Sequence, residues 1–184
     1  MNTRDAVSLI REAIPRCRGA WADLGAGDGT FTRALVDLLE PSRVYAVDRD
    51  ARSLSKLTRW ARTEAPGVIP VLADFSAPFD LPGFNGRKLD GMLLANSLHF
   101  VRDPGHVLAR LVTWLRPGGR VVLVEYDRRR ASRWVPYPIP AAEWPALAAS
   151  AGLSLPVITA SRPSAFGGDL YVAAANLSGD EQDG

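Results

Sequence analysis

The sequence predicts an α/β domain, doubly wound around a mostly parallel sheet. Three observations carry that prediction. Strand-like and helix-like segments alternate along most of the chain. The strand-like segments are unbroken apolar runs, such as Val-Val-Leu-Val at 121–124, as expected of strands covered by helices on both faces. The 184 residues are 47% hydrophobic, enough for one sizeable core and too short for two enzyme domains.

The elements follow in order. Val7, Ile10 and Ile14 have helical spacing and predict a helix over 5–15. A short strand is expected at 20–24. Phe31, Leu35 and Leu38 share one face of a helix over 31–40. A second strand covers 43–47. Asp50 can cap a helix over 51–64, with Leu54, Leu57 and Ala61 inward and Arg52, Lys56 and Arg59 outward. Residues 68–72 read as the third strand. Two prolines and two glycines make 75–87 mostly loop, and 90–95 is a fourth strand, buried on both faces. Asp103-Pro104 reads as an N-cap with proline at the first helical position. That helix is expected to reach about Leu115 and to stop at Pro117-Gly118-Gly119, before a fifth strand at 120–124. A helix over 141–151 tolerates Pro145 only in its first turn. Strands at 153–160 and 169–175 complete the domain, taken as residues 1–175. Residues 176–184 hold three acids and no base and are expected to be a mobile tail.

Composition narrows the function. Cys17 is the only cysteine and His99 and His106 are the only histidines, so neither a disulfide framework nor a metal cluster is expected. No apolar run approaches the ~20 residues of a membrane helix. Residues 1–5 lack the apolar segment of a signal peptide. A soluble, cytoplasmic protein is expected. Twenty of the 22 basic residues are Arg, and the net charge is only +2. That is well short of a polybasic protein.

The sharpest signal is Ala22-Asp23-Leu24-Gly25-Ala26-Gly27-Asp28-Gly29-Thr30-Phe31, where the first strand turns into a helix. Glycines at alternate positions let the backbone turn tightly and let a ligand approach it. In such sheets ligands bind beyond the carboxyl ends of the strands. A dinucleotide site has the pattern G-x-G-x-x-G, with a pyrophosphate on the helix N-terminus. Here the third glycine comes one residue early, and the sixth position is Thr30. A leading carboxylate also repels a pyrophosphate and suits a ligand carrying an amine.

At this point the sequence resembles the class I S-adenosylmethionine-dependent methyltransferases. Their first motif, an acid followed by G-x-G-x-G, is matched by Asp23, Gly25, Gly27 and Gly29. Asp48 ends the second strand, where the family holds the ribose hydroxyls; one carboxylate can accept from both. Ala73-Asp74-Phe75 follows the third strand, where the family contacts adenine. Leu94-Ala95-Asn96-Ser97-Leu98-His99-Phe100 resembles the fourth motif, and Leu115-Arg116-Pro117-Gly118-Gly119 the turn into strand five. The motifs span about 18–126. The resemblance implies a seven-stranded Rossmann-like methyltransferase sheet with its last strand antiparallel. It implies S-adenosylmethionine as cofactor, contacted by Asp23, Gly25, Ala26, Gly27, Gly29, Asp48, Arg49, Asp74, Phe75 and Asn96.

Methyl transfer is an in-line displacement, helped by alignment and desolvation. His99, in the loop after strand four, is the base candidate, because imidazole titrates near neutrality. Packing against the cofactor is its alternative role. Tyr126 follows strand five at the same rim and is the second catalytic candidate. The Asn/Asp-Pro-Pro-aromatic motif of amino-methylating nucleic-acid enzymes is missing, since 96–99 read Asn-Ser-Leu-His. The nucleophilic cysteine of cytosine enzymes is missing too. A small-molecule acceptor, methylated at O, N or C, is therefore expected over nucleic acid. Arg128-Arg129-Arg130 and Arg133 form the one basic cluster, either a solvated loop or a site for an anionic acceptor or nucleic acid. Trp134-Val135-Pro136-Tyr137-Pro138-Ile139-Pro140 resembles the segment before strand six in ubiquinone/menaquinone-type methyltransferases. Only about 20 residues precede strand one, so the acceptor site is either open or closed by a partner, a homodimer being one such arrangement. The competing readings are an RNA or protein methyltransferase and a non-catalytic cofactor-binding subunit. A nicotinamide oxidoreductase is disfavoured by the glycine spacing and Asp23.

Overall fold

The computed structural model describes residues 1–15, 19–39, 43–164 and 167–179. Seven strands are present: β1 (Ala20–Leu24), β2 (Arg43–Asp48), β3 (Val68–Leu72), β4 (Leu89–Ala95), β5 (Leu115–Asp127), β6 (Val157–Pro163) and β7 (Asp169–Asn176). Five α-helices accompany them: α1 (Thr3–Ile10), α2 (Thr30–Leu38), α3 (Ala51–Glu64), α4 (Pro104–Leu111) and α5 (Trp144–Ser150). The strands form one sheet in the order β3-β2-β1-β4-β5-β7-β6. β7 is antiparallel to both its neighbours, and the other pairings are parallel. The chain winds outward from β1 to β3, then returns to β4 on the other side of β1. That reversal opens a crevice beyond the carboxyl ends of β1 and β4.

Alternation along each strand feeds two cores. Ala22, Leu24, Tyr45, Val47, Met92, Leu94, Val121 and Leu123 face α4 and α5. Trp21, Val44, Ala46, Leu93, Val122 and Val124 face α1, α2 and α3. Each fully buried Leu, Val or Met side chain contributes about 1.5–3 kcal/mol of transfer free energy. Helix starts obey the expected chemistry. Asp50 accepts from the N–H groups of Arg52 and Ser53, and Asp103 from that of His106. Pro145 lies in the first turn of α5. No described helix is long and apolar enough to cross a membrane.

Several expected boundaries move. The fourth helix ends at Leu111 and gives way to a 3₁₀ turn, Val112–Trp114. β5 begins at Leu115 rather than 120: Leu115 pairs with Leu89, and the register jumps before Gly91 meets Arg120. The Pro-Gly-Gly stretch is thus a bulge within the strand. Arg116 holds it by its bond to Asp90, as does the Gly118 N–H donating to the Leu177 carbonyl. The sixth strand starts at Val157 rather than 153, because Pro156 has no N–H for a ladder and Leu153 bridges instead to Leu177. Asn176 ends β7, and the Leu177 N–H bonds the Gly119 carbonyl, so ordered chain continues past the expected limit at 175. Cys17, Glu40 and tail residues 180–184 lie outside the described residues.

Candidate active site

Two adjoining cavities lie over the carboxyl ends of the strands. Gly25, Asp48, Arg49, Asp74, Phe75, Asn96 and Ser97 are among the residues lining the first. The second, of about 380 Å³, is lined by Asn96, His99, Phe100, Tyr126, Arg129, Trp134 and Val135. Asn96 and Phe100 belong to both.

The first cavity is built from turns. Gly25 has φ +87°, and a Cβ there would stand 2.4 Å from Cβ of Ser97. Backbone handedness and close approach therefore both require glycine. The Ser97 hydroxyl donates to the Leu24 carbonyl (2.6 Å), tying the loop after β4 to the end of β1. Asp48 accepts at Oδ2 from the Gly27 N–H and at Oδ1 from the Asp50 N–H, both 2.7 Å. Lone pairs remain for a ligand diol. Asp74 is held below the usual carboxylate range, first by the Ser76 hydroxyl and also by Arg49. The Arg49–Asp74 pair spans 3.6 Å and is substantially exposed. Arg110, reaching from α4, donates to the Phe75 carbonyl (2.6 Å) and fixes that peptide.

The remaining loop residues sit differently from the expectation. Asp23, Ala26, Gly27 and Gly29 line neither cavity. The Ala26 N–H is turned toward the Val47 carbonyl, and the Gly27 N–H toward Asp48. Asp23 is 1% exposed, beneath the loop rather than facing the crevice. Its Oδ2 accepts from the Thr32 hydroxyl (2.6 Å), while Oδ1 is buried without a partner among the described residues. Burial pushes its pKa up to about 7; the Thr32 bond opposes this and Asp48 adds to it.

Asn96 joins the cavities. Its φ is +53°, an uncommon conformation for a non-glycine residue. Its N–H donates to the Val124 carbonyl, and its Oδ1 is buried with no partner among the described residues.

The second cavity is built by tertiary packing. His99 lies in a 3₁₀ turn, Leu98–Phe100, and is 2% exposed. Its Nδ1 is 2.6 Å from Oε2 of Glu125, and its main-chain N–H donates to Oε1 of the same carboxylate. Glu125 is fully buried. An ionised Glu125 accepts from Nδ1–H, which leaves Nε2 as the acceptor nitrogen. Tyr126 has its ring centroid 6.1 Å from that of His99, and the Arg129 guanidinium lies over the Tyr126 ring at 4.4 Å. The proline-rich segment straps this site. The Tyr137 N–H donates to the His99 carbonyl, the Tyr171 hydroxyl to the Ile139 carbonyl, and the Ala141 N–H to Asp127. Trp134 and Val135 line the cavity while Ile139 enters the core, so the segment both packs and shapes the site.

The arginine cluster divides: Arg128 pairs with Asp127 and Asp169, Arg129 lines the cavity, and Arg133 stacks on Trp134. α1 lines neither cavity. No described group of three or more His, Cys, Asp or Glu is placed to hold a metal ion. Glu125, Ser97 and Phe100 were not legible as site residues. For Glu125 a signal existed: a lone acid closing the apolar run 121–124.

A family model described as a methyltransferase domain matches residues 22–123. A methyltransferase of Mycobacterium bovis, itself named as uncharacterized, is 31% identical over 122 residues, 66% of this chain and 46% of that protein. Trans-aconitate 2-methyltransferase of Pseudomonas aeruginosa is 28% identical over 120 residues, 65% of this chain and 40% of that protein. The chain thus spans less than half the length of either relative. The crystal structure of Burkholderia thailandensis 1,6-didemethyltoxoflavin-N1-methyltransferase, with S-adenosylhomocysteine bound, superposes with a TM-score of 0.77. It covers 96% of this chain and 78% of its own, at 23% identity, a likeness that shows the fold.

Proposed function

The chain belongs to the methyltransferase domain family, and on that premise we propose that it transfers a methyl group from S-adenosylmethionine to a small-molecule acceptor at O, N or C. One observation carries the reading. Gly25 of the acid-led glycine loop, Asp48, Asp74 and Asn96 each stand at or just beyond the end of a strand, and all four line one crevice.

The donor set fits this cofactor. Asp48 would accept from the ribose diol, and Asp74 with the Phe75 N–H would hold the adenine. Asp23 would act from beneath the glycine loop, since it lines neither cavity. When bound, the cofactor supplies a methyl group on a positively charged sulfur. The protein's own part lies in the second cavity. Glu125 holds His99 in one tautomer, Nε2 takes the proton from the acceptor's O–H, N–H or acidic C–H, and Glu125 stabilises the resulting imidazolium. We assign Tyr126 to the wall of that cavity. The arginine cluster supports a small acceptor over nucleic acid, since Arg128 is paired with Asp127 and Asp169 and Arg129 lines the second cavity.

Calorimetric titration with S-adenosylmethionine and S-adenosylhomocysteine tests the reading, with Asp48→Ala as the control. Saturable binding, weakened about 100-fold by the substitution, is expected from the loss of charge-assisted bonds. Absence of binding by folded protein would overturn it.

A further inference from the structure

We propose that the acceptor is a flat aromatic compound carrying the receiving hydroxyl or N–H on its ring system, and that Trp134 is the residue that selects it for flatness. This rests on the methyltransferase reading and names the substrate class of that same site. The acceptor's oxygen or nitrogen bonds the methyl carbon as the methyl–sulfur bond breaks. The electron pair of that bond stays on the sulfur of S-adenosylhomocysteine, and the acceptor's proton passes to Nε2 of His99.

Phe100, Tyr126 and Trp134 put three large rings on the wall of the second cavity. Trp134 is 63% exposed and Phe100 43%. The main chain that bears Trp134 is nonetheless fixed. Ser132 and Val135 exchange two main-chain bonds around it, and the Tyr137 N–H donates to the His99 carbonyl. Pro136, Pro138 and Pro140 set φ along the rest of the strap. The Arg133 guanidinium lies over the indole at 4.5 Å. A ring held open in advance offers flat apolar area at little ordering cost. A flat aromatic partner matches it in offset-stacked or edge-on geometry, which adds to the burial of area. Phe100 lines the first cavity as well, so a ring resting on it lies beside the cofactor's side of the crevice. A volume of about 380 Å³ accommodates one or two fused rings.

The same lining disfavours other acceptor classes. A polyol needs a hydrogen-bond partner for most of its hydroxyls. The polar side chains here are Asn96, His99 and Arg129. His99 is bound at Nδ1 by Glu125, and Arg129 is already engaged, its guanidinium over the Tyr126 ring at 4.4 Å. An ammonium group calls for a carboxylate, and among the described residues no carboxylate lines this cavity. Asp48, Asp50 and Asp74 line the first cavity instead. A saturated chain or ring gains its buried area and nothing more from aromatic walls. A flat aromatic acceptor uses both the area and the stacking.

The test is calorimetry on the full chain saturated with S-adenosylhomocysteine, using 2-naphthol and its saturated counterpart decahydro-2-naphthol. Both carry one hydroxyl on the same carbon skeleton, so apolar burial alone would bind them alike. The wild type is expected to bind 2-naphthol about tenfold or more tightly, as stacking on more than one ring implies. Trp134→Leu keeps apolar bulk without the plane and should bring the two probes within about threefold. Trp134→Phe keeps a ring and should retain a preference of about fivefold. Equal binding of the two probes by the wild type, tighter binding of the saturated one, or a preference undiminished by Trp134→Leu overturns the proposal. If S-adenosylhomocysteine binds normally while neither probe does, the acceptor class fails and the methyltransferase reading stands. If S-adenosylhomocysteine itself does not bind, the methyltransferase reading fails and the proposal with it.

Discussion

The two cavities are neighbours, yet they are made differently. The first is made of chain turns: Gly25 directly follows β1, Asp48 ends β2 and Asp74 lies two residues past β3, and main-chain N–H groups orient the Asp48 carboxylate. The second is made of side chains that meet only after folding. His99 comes from the turn after β4, Glu125 from β5, Trp134 from the strap, and Tyr171 from β7 holds that strap down. The comparison teaches that one wall of a crevice can be made locally, whereas the second cavity here depends on long-range contacts. Substitutions in the two regions should therefore fail in different ways.

The largest contrast is expected at His99. With an acceptor identified by screening small molecules for methyl transfer, His99→Ala should lower kcat by about 10² to 10⁴. S-adenosylhomocysteine affinity should stay within about twofold. Glu125→Gln should follow the same pattern, more weakly, with a displaced pH–rate profile, since an amide no longer dictates the imidazole tautomer. Steady-state kinetics beside calorimetry would check this; a parallel loss of cofactor affinity would break the distinction between the cavities.

Asp23 comes next. Its folded pKa of about 7 lies above the ordinary 3.8, so the folded protein holds a proton that the unfolded chain gives up. The associated stability is complete below about pH 3.8 and is lost as pH rises toward and through about 7. At about 1.4 kcal/mol per unit, the full span is about 4 kcal/mol. Urea denaturation from pH 4.5 to 8 should show this decline in the wild type. The decline should be much reduced in Asp23→Asn. Unchanged pH dependence would show that Asp23 is not the buried acid responsible.

Gly25→Ala should cost about 1–3 kcal/mol in thermal or urea unfolding. The new methyl would meet Ser97 at 2.4 Å with φ at +87°. It should also weaken S-adenosylhomocysteine binding at least about tenfold, because the loop and the β4 turn share the first cavity. The smallest effect belongs to Arg49. Its pair with Asp74 is largely exposed, so Arg49→Ala should change cofactor affinity by less than about threefold. A larger loss would mean that Arg49 touches the ligand itself.

Legibility follows the same division. Asp50 and Asp103 are caps readable from a few neighbouring residues, and α3 has the expected bounds because its apolar period and its cap agree. The β5 boundary was not readable. The Pro-Gly-Gly stretch has turn chemistry, but its main-chain groups are bonded by Leu177 from the far end of the domain. Asp23 shows the limit of motif reading. The motif marks the residue, while its burial beneath the loop and its bond to Thr32 are visible only in the folded chain.

The sequence by itself determined the α/β class, the order of elements, the acid-led glycine loop and the family, because hydrophobic period, caps and glycine handedness act over a few residues. Only the tertiary structure decided that Glu125 orients His99. It alone placed Asn96 and Phe100 between the two cavities and put Arg129 on the wall of the second. Those outcomes depend on strand order and on the packing of segments distant in sequence, and no local pattern encodes which side chains such packing brings within hydrogen-bonding distance.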